Sequence, residues 1–528
     1  MNTNVLGLFA PSTVKKYDYW FIFLLSYCYI RWDLLWNGTG ISVLVFTILF
    51  CGFFSLRLDL DHRITAKQKQ AARPWLLTVI LSAVAAAWFD YTPLGWINFL
   101  FLTCAVLCWL SVLTGTRFLP QISNYLPLEL LSSLFVIPFS NFGRFFSTVF
   151  QRNKTESIDD SISDSTAVTK RHTVIRSGLL ILFTLFMIAP LLLIVLNLLA
   201  YADESFMRLV AHLIDEFFAL FRNLLTLNVL EILRALLLGI PVAAYLFGLL
   251  WAYTHPDQAK GLPQKALADQ KLHACRFLPR IMIFTALLTF TIVYLLFLGL
   301  QAFHLAEALQ NGLPDTTTYS RFAREGFFEL CAVAFINLML LAGVWLLAKR
   351  TSDGEVPSLL RWMLSLLSVQ TILLVITAMT KMALYIQVYG LTRLRVYTSW
   401  FMLWLLLVFV VLTLATARKR GVAAEGRLTP AKALTVLTIV MFLMLNYLNV
   451  DALIVRDHID RAQRDPLVRE SFDAGYLWSL SGNARLALLD YYDGEIPKEL
   501  IPHGYWDGHG WERASITSIR LNSQLKTP

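Results

Sequence analysis

The ionisable residues whose types and spacing could do chemistry gather in two short stretches. In Ser320–Leu330 (SRFAREGFFEL), Arg321, Glu325 and Glu329 recur every fourth position and so share one helix face, with Arg324 beside them. Two carboxylates one turn apart repel unless a cation lies between them. In Tyr389–Tyr397 (YGLTRLRVY), Arg393 and Arg395 stand two apart. Lys381 lies 20 residues beyond Arg361, about 30 Å along a helix, which carries it to the level of that second stretch. Two glutamates and five cations are therefore expected to converge on one rim. Three chemistries fit them. One is a static ion network locking three helices together. Another is an anion site, in which guanidinium forks grip a carboxylate or phosphate headgroup through paired hydrogen bonds. The third is a proton relay through Glu329.

The elements that must position these groups follow from composition. Apolar residues make up 57% of the 528 residues and charged ones 15%, with a mean hydropathy of +0.59. Soluble chains run at roughly 45–50% and about 25%. The fold class expected is all-α, a polytopic transmembrane helix bundle. Eleven apolar runs approach the ~20 residues a crossing needs: about Tyr17–Trp36, Gly40–Leu56, Trp75–Phe89, Leu94–Val112, Val174–Leu199, Val229–Tyr253, Ile281–Phe303, Gly326–Ala348, Trp362–Tyr385, Val396–Ala415 and Ala433–Leu448. Lys15 and Lys16 precede the first run, but it lacks a small-residue cleavage site and reads as a retained anchor.

Direction follows from the basic residues. The N-terminus and every second loop hold 27 Lys/Arg, and the intervening segments with their flanking helices hold nine. That alternation predicts the N-terminus inside and the C-terminus outside. Leu126–Phe150, interrupted by Pro127, Pro138 and Arg144, is apolar enough to tempt a twelfth span. A span there would put the basic loops outside, so the segment is laid on the cytoplasmic face as an interfacial or re-entrant piece.

Four parts result: a four-span segment over 1–115, a cytoplasmic interfacial segment and polar linker over 116–173, a seven-span core over 174–448, and an extracytoplasmic helical tail over 449–528. The linker 151–171 is Ser/Thr/Asp-rich and reads as solvated. Residues 203–222 form an amphipathic helix on the outer leaflet, with Phe206, Leu209, Leu213 and Phe217 on one face. Pro190 and Pro241 are expected to kink their spans. The tail carries a net −3 and the rest of the chain +12, so the basic excess reads as lipid-facing anchors, and no nucleic-acid partner is expected. Short helices are expected over 449–462 and 475–492, with a break at Asp465-Pro466. His503, Asp507 and His509 in the Gly-rich loop after them fall short of a zinc ligand set, and no metal or other cofactor is expected. Phosphate-loop, dinucleotide, H-E-x-x-H and G-x-S-x-G motifs are missing from the sequence.

Ser320–Leu330, Tyr389–Tyr397, Asn449–Ile459 (NVDALIVRDHI) and Tyr476–Leu480 (YLWSL) together resemble the bacterial integral-membrane family called domain of unknown function 4173, with its sister family 4153. The likeness covers roughly residues 175–495. Relatives often read Asn-Pro-Asp-Ala where this chain has Val450, which leaves the start of that helix less rigidly fixed. No activity comes with the resemblance. It implies a multi-pass protein of the bacterial inner membrane. The leading expectation is transport or handling of an anionic, lipid-like envelope compound at a site built from Arg321, Arg324, Glu325, Glu329, Lys381, Arg393 and Arg395. The alternatives are a non-enzymatic assembly or signalling component whose tail recruits an extracytoplasmic protein partner, and an envelope-modifying transferase. Enzymatic activity is the weakest expectation, because no acid/base pair is backed by a substrate loop.

Overall fold

The computed structural model describes residues 16–34, 40–60, 64–89, 94–117, 125–156, 227–262, 276–311, 327–348, 357–417, 429–466, 473–492 and 515–525, with the single positions 270 and 274. Regular structure among the described residues is helical, apart from a lone parallel bridge between Leu278 and Ala348. Ten helices among them are long and apolar enough to cross a membrane. The protein is thus an all-α, polytopic membrane protein. Nine of the eleven expected spans fall on nine of these helices. The first expected span is a helix of 16 residues, α1 (Lys16–Arg31). The expected span 174–199, the amphipathic segment 203–222 and Pro190 lie outside the described residues.

The tenth helix is Leu126–Ser147, the segment that charge counting lays on the membrane surface. Its prolines do not interrupt it. Pro127 sits in the first turn of α5 (Leu126–Leu131), where a missing N–H leaves no hydrogen bond unmade. Ahead of Pro138 the helix loosens into a π-turn, Ser132–Val136, in which the Ile137 N–H reaches back to Ser132 O. The chain then continues as α6 (Ile137–Glu156), so the first residues of the expected linker are helical.

The chain divides into two compact units: residues 1–31 with 138–260, and residues 32–137 with 261–528. In the first, α1 packs on α7 (Leu227–Thr254) through small residues and rings. A Cβ at Gly239 would meet Ser26 Oγ at 3.5 Å, an ordinary contact, whereas at Gly248 it would lie 2.5 Å from Pro138 O, so only glycine fits there. Tyr19 stacks on Phe247 at 5.0 Å, and Phe145 meets the same ring edge-on at 5.6 Å. Pro241 sits inside α7 without ending it.

The second unit contains α2 (Ile41–Leu60), α3 (Ala66–Trp88), α4 (Gly95–Thr114), α5, α8 (Arg280–Asn311), α9 (Phe327–Leu347), α10 (Ser358–Tyr389), α11 (Arg393–Ala417) and α12 (Pro430–Tyr447). Its centre is α10, where Leu360, Leu364, Leu367, Thr371, Leu374 and Ala378 form a buried seam at alternating three- and four-residue spacing. Against it lie Leu287 of α8, Ala334 and Leu341 of α9, and Leu405 and Phe409 of α11. Neutral polar groups cross this core. Tyr294 Oη donates to Asn337 Oδ1 at 2.8 Å, and Asn337 Nδ2 donates to Thr371 Oγ1 at 2.9 Å. Elsewhere in the unit, the enclosed Arg117 and Glu129 side chains are 2.9 Å apart, Nε to Oε2, which neutralises the carboxylate inside α5.

The tail forms α13 (Val450–Arg464), α14 (Ala474–Ser479), α15 (Gly482–Tyr491) and α16 (Ile516–Leu525). α13 ends at the expected break. The helix expected over 475–492 is split in two at Leu480–Ser481, and α16 has no counterpart in the sequence reading. Ile454, Val455 and Ile459 of α13 join Leu477, Trp478 and Leu488 in a second core, which also takes in Val396 of α11 and Leu445 of α12. The tail is therefore packed on the membrane helices. Thr517 Oγ1 donates to Trp88 O at 2.7 Å and Tyr447 Oη to Leu81 O at 2.9 Å, tying α16 and α12 to α3.

Candidate functional site: the tail-side turn between α10 and α11

Of the seven residues expected to form the site, Arg321, Arg324 and Glu325 lie outside the described residues. Glu329 is in the first turn of α9. Lys381 is buried on α10, eight residues before its end. Arg393 and Arg395, expected in the loop ahead of the span that starts at Val396, fall in the first turn of α11. What they touch was not expected.

The turn begins with Gly390, the C-cap of α10, at φ +73° and ψ −178°, a backbone region open essentially to glycine alone. The backbone demands glycine, and a Cβ there would also press on Asp457 Oδ2 at 3.2 Å, with Arg461 Nε at 3.4 Å. The turn holds two arginines within three residues and a row of carbonyls left over from the end of α10. α13 lies against it and answers each group in kind. Arg393 grips Asp451 with both arms of its fork, Nε to Oδ1 at 2.7 Å and Nη2 to Oδ2 at 2.6 Å. The pair is largely enclosed, with the side chains 24% and 5% exposed. Arg461 donates to Ile386 O and Gln387 O, both at 2.8 Å, and to Asp457 Oδ2 at 3.0 Å. Asp457 Oδ2 in turn accepts the Leu391 N–H at 2.8 Å, and His458 Nε2 lies 2.9 Å from Leu391 O. Arg395 donates to Tyr389 O and Gly390 O, with its guanidinium carbon 4.1 Å from the Tyr385 ring centroid.

Electrostatically the turn is closed. Cations near a helix C-terminus are favourable, and here two guanidinium groups serve the end of α10. Tyr476 of α14 stands beside the pair. Burial pushes its phenol above its ordinary value; the Arg393 and Arg395 guanidinium groups pull it back and the Asp451 and Asp473 carboxylates reinforce the rise.

The groups that sequence reasoning missed are Asp451, Asp457, His458 and Arg461. A signal was available. Asp451 and His458 are seven apart and Asp457 and Arg461 four apart, which puts polar side chains at helical spacing beside an apolar face. Two stretches that carry the family resemblance, Tyr389–Tyr397 and Asn449–Ile459, are therefore brought together by contact. Among the described residues no group of three His, Cys, Asp or Glu is placed to hold a metal ion. His503, Asp507 and His509 lie outside the described residues.

A family model, Domain of unknown function (DUF4153), matches residues 76–491, and the chain belongs to that family. This is the sister of the family the motifs first suggested, and the match reaches back through α3 and α4, where no resemblance was read. No curated protein and no solved structure matches the chain.

Proposed function

We propose that this member of the DUF4153 family is a non-enzymatic assembly or signalling component of the bacterial inner membrane. In this reading α13–α15 are held on the α10–α11 turn as a fixed extracytoplasmic platform for a protein partner. The observation that carries it is the two-armed Arg393–Asp451 pair. Arg393 and Arg395, the two cations best placed for a headgroup, already serve Asp451 and the carbonyls of α10. Removing one member of an enclosed pair leaves the other charge stranded, at about 3–5 kcal/mol. The pair therefore fixes where the tail sits.

A second reading keeps the anionic, lipid-like envelope compound, because a carboxylate or phosphate headgroup presents the same two-oxygen edge to Arg393 as Asp451 does. Arg321, Arg324, Glu325, Glu329 and Lys381 would then supply the surrounding charge. Asp451→Asn separates the two. On the platform reading it loosens the tail, and partner cross-linking to the full-length protein drops in cells. On the headgroup reading it frees the guanidinium fork, and binding of anionic lipid rises while Arg393→Ala abolishes it. Normal cross-linking by Asp451→Asn, with the tail still docked, would remove the platform reading. Protease added to spheroplasts should reach the tail; protection there would remove the extracytoplasmic placement.

A further inference from the structure

The start of α15 has the opposite character to the end of α10. The first intrahelical bond of α15 is Arg485 N–H to Ser481 O at 3.1 Å, so the Asn483 and Ala484 N–H groups have no acceptor within the helix. Ser481 holds the cap position, yet its side chain makes no capping bond. Its hydroxyl is without a hydrogen-bond partner although the residue is only 3% exposed. Asn483, two residues on and 4% exposed, has an amide nitrogen in the same state. A buried donor left unmatched costs about 1–3 kcal/mol, so such groups are normally satisfied by protein, water or ligand. No acidic residue occurs in the first turn to complement the helix dipole. The Asp473 carboxylate, one helix earlier, accepts the Tyr476 N–H at 2.8 Å. Arg485 adds a positive charge one turn on, where its Nε donates to Trp478 O at 2.9 Å and its guanidinium lies 5.6 Å from the Trp478 ring centroid.

The unmatched groups gathered here, Ser481 Oγ and Asn483 Nδ2, are thus donors at a helix N-terminus. We propose that the N-terminus of α15, with Ser481 Oγ and Asn483 Nδ2, is a binding site for a phosphate-type oxyanion, whose oxygens accept from both side chains and from the Asn483 and Ala484 N–H groups. The site is separate from the Arg393–Asp451 pair and does not depend on the platform reading. Free phosphate and the headgroup of an anionic phospholipid share this chemistry.

The test uses the full-length protein in maltoside micelles, which carry no phosphate. Inorganic phosphate should raise the melting temperature, and chloride at equal ionic strength should not. Ser481→Ala should weaken phosphate binding roughly tenfold, the loss of one hydrogen bond to a charged acceptor. Asn483→Asp supplies its own anion at the helix start, so it should melt higher without phosphate and no longer respond to it. A shift seen only on adding phosphatidylglycerol, and lost in both variants, assigns the site to a lipid headgroup. No shift with either probe, the same shift with chloride, or a shift that both variants retain would overturn the proposal.

Discussion

The C-terminus of α10 and the N-terminus of α15 are two helix ends within one unit, and they are treated oppositely. At the first, side chains from α11 and α13 meet the carbonyls of residues 386, 387, 389, 390 and 391. At the second, a serine in the cap position does not cap, and a buried amide donor has no acceptor. Both ends are polar, yet they imply different roles. Where the chain exhausts its own hydrogen-bonding capacity, the result is rigidity. Where it leaves donors unmatched at a buried position, the remaining capacity points to something outside the chain.

Substitutions can break or sharpen that contrast. The largest effect is expected at the closed end. Arg393→Ala should destabilise the tail by about 3–5 kcal/mol, because Asp451 keeps its charge and loses its partner. The measurement is cleavage of α13–α15 by added protease, and the Arg393→Ala/Asp451→Ala double variant should recover part of the loss. An uncleaved tail in Arg393→Ala would break the claim that this end is held by the pair. Gly390→Ala comes next, at roughly 1–3 kcal/mol, since it combines a positive-φ backbone with a methyl group pressed on Asp457. Its melting temperature should fall without a change in lipid binding. Tyr294→Phe removes one hydrogen bond between α8 and α9 and should cost only about 0.6 kcal/mol, the usual scale within a membrane. The effect at the open end should differ in sign. Ser481→Ala without ligand should not destabilise the protein, because it removes a buried hydroxyl that has no partner, whereas losing a working cap residue costs about 1 kcal/mol. A loss as large as that would show that Ser481 caps after all, and the two ends would then be alike.

Much of this was legible in the residues. Nine spans follow from apolar runs because hydrocarbon imposes a length. The importance of Arg393 and Arg395 follows from their position at the edge of a span. Their partner was not legible. Asp451 lies 58 residues away in sequence, beyond another span, and charge balancing among α9, α10 and α11 alone left those cations in surplus. The tail supplies the missing carboxylate. Pro127 and Pro138 misled in another way. Each was read as an interruption, but one falls in a first turn and the other follows a π-turn, and neither geometry is written in composition. Nor does a serine at the start of α15 reveal that its hydroxyl makes no capping bond; that depends on backbone angles.

The bond from Arg461 to Gln387 O joins residues 74 positions apart, which sets an order in time. A ribosome adding about 5–20 residues per second needs several seconds to cover that distance. Throughout that interval the α10–α11 hairpin stands at the bilayer edge with its carbonyls turned to water or headgroups. Only after α12 has been made can α13 reach back and close it. Docking of α13 thus reports that the helices from α10 to α12 are already in place.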